Sequence, residues 1–276
     1  MFSKAELAKD FKRLGLENGD TVMLHASVKS VGLIAGGPDR IHEALLDAVC
    51  PDGTIMMYAS CPRYYDEVGR GRLSRDEEKE ILEKLPSFDH KSDRSAADNG
   101  VLVEFLRTYP GTLASERVAR FVARGAKAEN IISHQPLNYA YGKNSPLAKL
   151  LEFNGKIVLL GSDHDAVTFL HYVEHVADFQ NKKIARYKVP LLVGTERQWV
   201  DVEDVNTAGD GAHDNWPDRF FAQIVDGFLT KTRNQGGKVG HSQTYVLPAK
   251  ELFEYSKPIM EGVAKDGAKV LSKLIL

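Results

Sequence analysis

The 276-residue chain has only two cysteines, Cys50 and Cys61, too few for a disulfide framework, so both read as free thiols of a reducing compartment. It has no apolar run near the roughly 20 residues that a membrane helix needs. Its opening residues, Met1-Phe-Ser-Lys-Ala-Glu-Leu7, carry charges where a secretory leader would be apolar. Neither charge sign is in excess. A net charge of −2 gives no basic field for nucleic acid. Repeats and low-complexity tracts are also missing. These absences leave a soluble, cytoplasmic protein with no nucleic-acid or membrane partner, expected to be a monomer or homodimer. An apolar fraction of 43% is enough for one large core, and residues 1–276 read as a single domain.

Patterning then sets the order of elements. The first 14 residues form an amphipathic helix with Leu7, Phe11 and Leu14 facing inward. Thr21–Ala26 is a buried strand, and Gly36-Gly37-Pro38-Asp39 opens a helix running to Val49, with Pro38 in its first turn. Residues 53–58 are a second strand. Strand, glycine loop, helix and strand make a βαβ unit, which points to an α/β fold. Residues 61–99 break this rhythm. They are polar, begin with Tyr64, Tyr65, Asp66 and Glu67, and carry a charged helix around Arg75–Lys84. The stretch is too long for a simple connection and is expected to be a lid or wall of a substrate site. Further along, residues 99–109 are helical and residues 155–161 form a compact central strand. A helix starts near Asp165. Strands at Ile184–Val193 and 238–246 flank a helix around 216–230.

The most informative segment runs from Gly161 to Asp178. On a helix at about 100° per residue, Thr168, His171, Glu174, His175 and Asp178 fall within roughly one third of the circumference. Ala166, Phe169, Val173, Val176 and Ala177 supply the opposite, core-facing side. Solvated helix faces use lysine and glutamate freely; two histidines, a threonine and two acids without a lysine point instead to a site. The segment also follows a glycine-bounded strand, at the sheet edge where α/β proteins place ligands.

Two chemistries fit these residues. His171-Tyr-Val-Glu174-His175 matches the H-x-x-E-H signature of inverted zinc peptidases, with the histidines on zinc and Glu174 activating water. No third ligand stands out among Glu203, Asp204 and Asp214. Alternatively, Glu174 contacts His171 one turn away, fixes its tautomer and favours the imidazolium, as an acyl transferase with an amine acceptor requires.

Longer stretches carry a resemblance. Leu24-His-Ala-Ser-Val-Lys-Ser-Val-Gly32 with Gly36-Gly37, then Asp52-Gly-Thr-Ile-Met-Met-Tyr-Ala-Ser60, Tyr141-Gly-Lys-Asn-Ser-Pro-Leu147, and Leu159-Leu-Gly161 followed by Asp165 through Glu174 and Asn181-Lys-Lys183 lie in one order. Gly240-His-Ser-Gln243 gives a weaker tail. In this the chain resembles the aminoglycoside 3-N-acetyltransferases, a CoA-dependent group distinct from the GCN5-related enzymes. The resemblance implies a central mixed sheet flanked by helices, with the charged insertion forming part of the substrate site. It implies acetyl-CoA as co-substrate, no metal, and an aminoglycoside acceptor modified at the 3-amine of its 2-deoxystreptamine ring, which confers resistance. The family's T-x-x-H-x-x-E pattern falls on Thr168, His171 and Glu174, which makes His171 the base, Glu174 its orienting acid and Thr168 a neighbour of the thioester. His175 lies outside that pattern, and His164 stands where the family varies.

Ser27, Val28, Lys29, Ser30, Val31, Gly32 and Gly37 match the family's CoA-contacting region. Turn N–H groups, Lys29 and the helix start near Pro38 suit phosphate charge. A polycationic acceptor calls for carboxylates. Asp66, Glu67, Asp178 and Asp214 are the candidates, with Asp201, Glu203, Asp204 and Asp210 nearby in sequence. One departure stands out. Where the family shows arginine-serine-x-His-Pro-x-x-Ser, this chain has Leu113-Ala-Ser-Glu-Arg-Val-Ala-Arg120, which implies a changed pocket wall. A zinc hydrolase and a non-catalytic CoA- or sugar-binding protein stay open as alternatives.

Overall fold

A computed structural model describes residues 1–62, 64–207 and 211–274. Its strands among these residues are β1 (Thr21–Ala26), β2 (Thr54–Tyr58), β3 (Leu113–Ala114), β4 (Phe121–Gly125), β5 (Lys156–Leu160), β6 (Ile184–Val193), β7 (Glu196–Val205), β8 (Gly237–Val239) and β9 (Ser242–Pro248). Seven of them form one mixed sheet in the order β3-β4-β2-β1-β5-β9-β8. β1 runs parallel to both β2 and β5, and the remaining neighbours pair antiparallel. The expected α/β fold with a mixed central sheet is therefore what forms.

The three parallel strands are apolar on both faces, as strands covered from both sides must be. Val22, Leu24, Ile55, Met57, Val158 and Leu160 point one way, where α1 (Lys4–Arg13), α2 (Val28–Val31), α3 (Asp39–Val49) and, beyond the insertion helix α4 (Arg75–Lys84), α5 (Val101–Thr108) lie. Met23, Met56, Ile157 and Leu159 point the other way. That face is covered by α6 (Ala128–Ile132), α7 (Pro146–Glu152), α8 (Phe169–Val176), α9 (Phe220–Thr232) and α10 (Ala249–Asp266). Ser3 and Glu6 cap α1 reciprocally, and Leu7 and Phe11 are fully buried.

The insertion and the β6–β7 hairpin build a third, smaller core from Cys61, Tyr65, Phe88, Val118, Tyr187, Val189, Leu191 and Val202. Backbone bonds stitch the two: Phe88 N–H donates to the Pro190 carbonyl at 2.6 Å, and Leu192 N–H donates to that of Phe88 at 2.9 Å. The residue 238–246 stretch, expected as one strand, is the β8–β9 hairpin, because Gly240 turns the chain at φ +58°. No described helix is long and apolar enough to cross a membrane.

Candidate active site

α8 is shorter than the periodicity predicts. A 3₁₀ turn (His164–Ala166) precedes it, Val167 leaves helical geometry at ψ 84°, and Ala177 is extended at ψ 140°. The helix therefore presents Thr168 at its N-cap and His171, Glu174 and His175 within it, but not Asp178. Asp178 instead lines a separate hollow, and its backbone N–H donates to Glu261 at 2.8 Å.

His171 and Glu174 meet as their spacing predicts. His171 Nδ1 lies 2.7 Å from Glu174 Oε2, and the second carboxylate oxygen accepts the Trp216 indole N–H at 2.6 Å. The Glu174 side chain is 2% exposed and the His171 side chain 23%. A carboxylate this buried must have its oxygens bonded, and here both are. As an acceptor only, it fixes the proton on Nδ1 and leaves the Nε2 lone pair of a neutral imidazole free. The ring is held between Tyr141, at 5.2 Å between centroids, and Phe221, at 4.8 Å. His175 turns to another acid, pairing with buried Asp204, which also accepts the Ala140 and Val205 N–H groups.

Behind Tyr141 opens a cavity of about 740 Å³ between the carboxyl end of β2, the insertion and the β6–β7 hairpin. Tyr58 and Tyr141 stand on its floor, their hydroxyls 2.6 Å apart, and burial pushes both phenols up, so they stay protonated. Burial raises the Cys61 thiol likewise. Asp66, Asp98 and Asp204 supply its carboxylates. Of the other acids considered from sequence, Glu67 pairs with Arg72 at 3.7 Å. Asp214 points to solvent, 83% exposed, and pairs with Lys183 at 2.7 Å. Asp201 and Glu203 pair with Lys188 and Arg186 across the hairpin, and Asp210 lies outside the described residues. Val118 and Ala119, from the stretch that departs from the family pattern, do line the cavity. Arg120 beneath them is fully buried and donates to the Ala59, His90 and Asp93 carbonyls at 2.8–3.0 Å.

On the other side of β1, Ser27 N–H donates to the Leu160 carbonyl at 2.8 Å, and α2 turns directly after it. Ser30 Oγ donates to the Ser27 carbonyl and lies 2.7 Å from Ser242 Oγ. Gly161, at φ +60°, fits against this pair only without a side chain, since a Cβ would sit 2.1 Å from Ser30 Oγ. Gly32 is constrained in the same way by His241. Val31 is buried beneath the turn, whereas Lys29 is exposed. The turn, the two hydroxyls and Gly161 thus meet at the carboxyl ends of β1 and β5.

A family model described as aminoglycoside 3-N-acetyltransferase matches residues 23–261. The chain belongs to that family. It is 38% identical over 96% of its length to aminoglycoside N(3)-acetyltransferase III of Pseudomonas aeruginosa, covering 95% of that protein. Its fold matches a structure titled "AAC-IIIb binary with CoASH" at a TM-score of 0.87 and 40% identity, with 94% of this chain and 96% of that one covered. A structure titled "AAC-VIa bound to Sisomicin" matches at a TM-score of 0.87 and 32% identity, with 95% and 98% covered. The zinc-hydrolase and binding-module readings give way to this membership. The site agrees, because the two histidines of the H-x-x-E-H string are held by different carboxylates.

Sequence reasoning missed Trp216, which stands 42 residues from Glu174 in a loop without any motif. Tyr141 lies within a segment that matches the family, but no local pattern assigns it a role. The glycine after Tyr141 was the available signal, since a Cβ at Gly142 would meet His175 and Tyr139 at about 3.1 Å.

Proposed function

We propose that this protein transfers the acetyl group of acetyl-CoA to the 3-amine of an aminoglycoside's 2-deoxystreptamine ring, with His171 as general base. The observation that carries this reading is the buried Glu174 carboxylate, held by Trp216 and bonded to His171 Nδ1, which leaves Nε2 as a free base on a partly exposed ring.

Acetyl-CoA lies with its phosphates at the turn of residues 27–32 and near Gly37, and its thioester beside Thr168. Thr168 makes no capping bond; its hydroxyl donates to the Ala166 carbonyl at 3.5 Å, a long bond that it exchanges for one to the thioester carbonyl oxygen. The acceptor enters the cavity behind Tyr141, where Asp66 and Asp98 face a polycation. An acceptor amine that has given one proton to solvent attacks the thioester carbon as Nε2 takes a second proton from the attacking nitrogen, and the carbon–sulfur bond breaks as the tetrahedral oxyanion collapses. The imidazolium, steadied by Glu174, returns its proton to the leaving thiolate. Acetylation removes one positive charge from the drug and with it a charge-assisted contact to ribosomal phosphates, hence resistance. Both substrates occur in the cytoplasm, where the enzyme acts.

Incubation with acetyl-CoA and kanamycin A tests this directly. Stoichiometric free CoA thiol and a singly acetylated product, with the acetyl on the 3-amine by NMR, are expected. Acetyl-CoA binding without thiol release from any aminoglycoside would refute the reading.

A further inference from the structure

The cavity assigned above to the acceptor carries cations where a polycation is expected to meet acids. Arg70 lines it with a side chain only 10% exposed, its guanidinium carbon 3.8 Å above the Tyr187 ring centroid. Its Nη2 lies 3.1 Å from Asp66 Oδ2, and its Nε donates to the Asp66 carbonyl. Among the described residues, Nη1 has no hydrogen-bond partner. Arg94 is a second cation on the wall, paired with Glu104 at 2.9 Å. The acids are largely committed: Asp204 holds His175 and two backbone N–H groups, and Asp66 holds Arg70. Exposed Asp98 is the one lining carboxylate without a partner among the described residues.

A guanidinium has five N–H donors and no acceptor. An ammonium is likewise donor-only and positive, so it cannot bond to Arg70 and is repelled by it. A hydroxyl oxygen accepts from the same N–H and carries no charge. Packing over Tyr187 and the two bonds to Asp66 keep the arginine from swinging aside.

We propose that Arg70 is a specificity-determining residue, selecting aminoglycosides that bear a hydroxyl rather than an amine at the sugar position facing it. The inference rests on the acceptor assignment and adds a repulsive element to it. The cation on the wall sets which drugs are modified well.

Two matched pairs test it: kanamycin B against kanamycin A, and neomycin against paromomycin, each differing by an amine against a hydroxyl at one carbon. Wild-type kcat/KM is expected to favour the hydroxyl member in at least one pair. Arg70→Gln should raise the amine-to-hydroxyl ratio in that pair about tenfold, the effect of roughly 1.4 kcal/mol. Arg70→Lys, which keeps the charge, should leave the ratio within about twofold. Wild-type preference for the amine member in both pairs overturns the inference without any variant. So do unchanged ratios in an active Arg70→Gln enzyme. Failure of the wild type to acetylate any of the four drugs instead sinks the acceptor assignment, and this inference with it.

Discussion

At the residue scale the proposed chemistry turns on how an imidazole is kept in one tautomer. Glu174 does this from burial, and Trp216 holds Glu174. Phenylalanine in place of Trp216 preserves the ring but leaves one carboxylate oxygen without its donor. A hydrogen bond to a charged group is worth about 1.5–3 kcal/mol, so kcat for Trp216→Phe should fall about 10–100-fold with acetyl-CoA affinity unchanged. Stopped-flow thiol release and calorimetric titration check the two halves. Glu174→Gln can still bond to Nδ1, yet its amide has a donor as well as an acceptor and no longer enforces the tautomer. It should fall in kcat at least as far as Trp216→Phe, read in the same assay.

Among elements, the insertion depends on a buried arginine for its placement. Arg120 bonds three carbonyls, two of them in the insertion, and burial pulls its guanidinium down to about 10, still charged at neutral pH. Arg117 likewise donates to the Gln135 and Tyr139 carbonyls. Arg120→Met leaves those carbonyls unpaired and should cost about 2–4 kcal/mol in a denaturant titration. Because the cavity wall moves and the His171–Glu174 pair does not, KM for the aminoglycoside should rise more than kcat falls. This region was least legible in the sequence. The parallel strands announce themselves because both faces are apolar, and α1, α3 and α5 by their stripes. β7 was missed because its first three residues, Glu196, Arg197 and Gln198, are all polar and Asp204 takes the buried place that follows Val202 in the alternation. β4 was missed because its five residues find their partner β2 more than 60 residues back. The ends of α8 went wrong because helical periodicity continues through Val167 and Ala177, whereas the backbone does not. The candidate base and its acid were legible because both lie within one turn. Arg70 and Trp216 were not, since the stacking of Arg70 on Tyr187 and the Trp216 bond to Glu174 join residues far apart in the chain and leave no local pattern.

For the molecule as a whole, the two sides of the sheet are joined at β1, and that strand carries a protonation cost. His25, at its carboxyl end, has Nε2 buried without a partner among the described residues, and burial pulls its imidazole down to about 4. Fully buried His42 is lowered in the same direction by burial. The unfolded chain takes up protons near pH 6.5, while folded His25 refuses them until about pH 4. Stability is therefore complete above pH 6.5 and lost as pH falls toward 4. At about 1.4 kcal/mol per pH unit, His25 accounts for a loss of about 3 kcal/mol. Urea midpoints measured from pH 7.5 to 4.5 should decline along this course, and His25→Leu should flatten much of it.

The most direct test is kcat for His171→Gln, measured by thiol release at saturating acetyl-CoA and kanamycin A after calorimetry has shown that the variant still binds acetyl-CoA. Loss of a general base should lower kcat about 10²–10⁴-fold with acetyl-CoA affinity unchanged. A variant that binds acetyl-CoA normally and turns over within a few-fold of wild type would contradict the role of His171 as base.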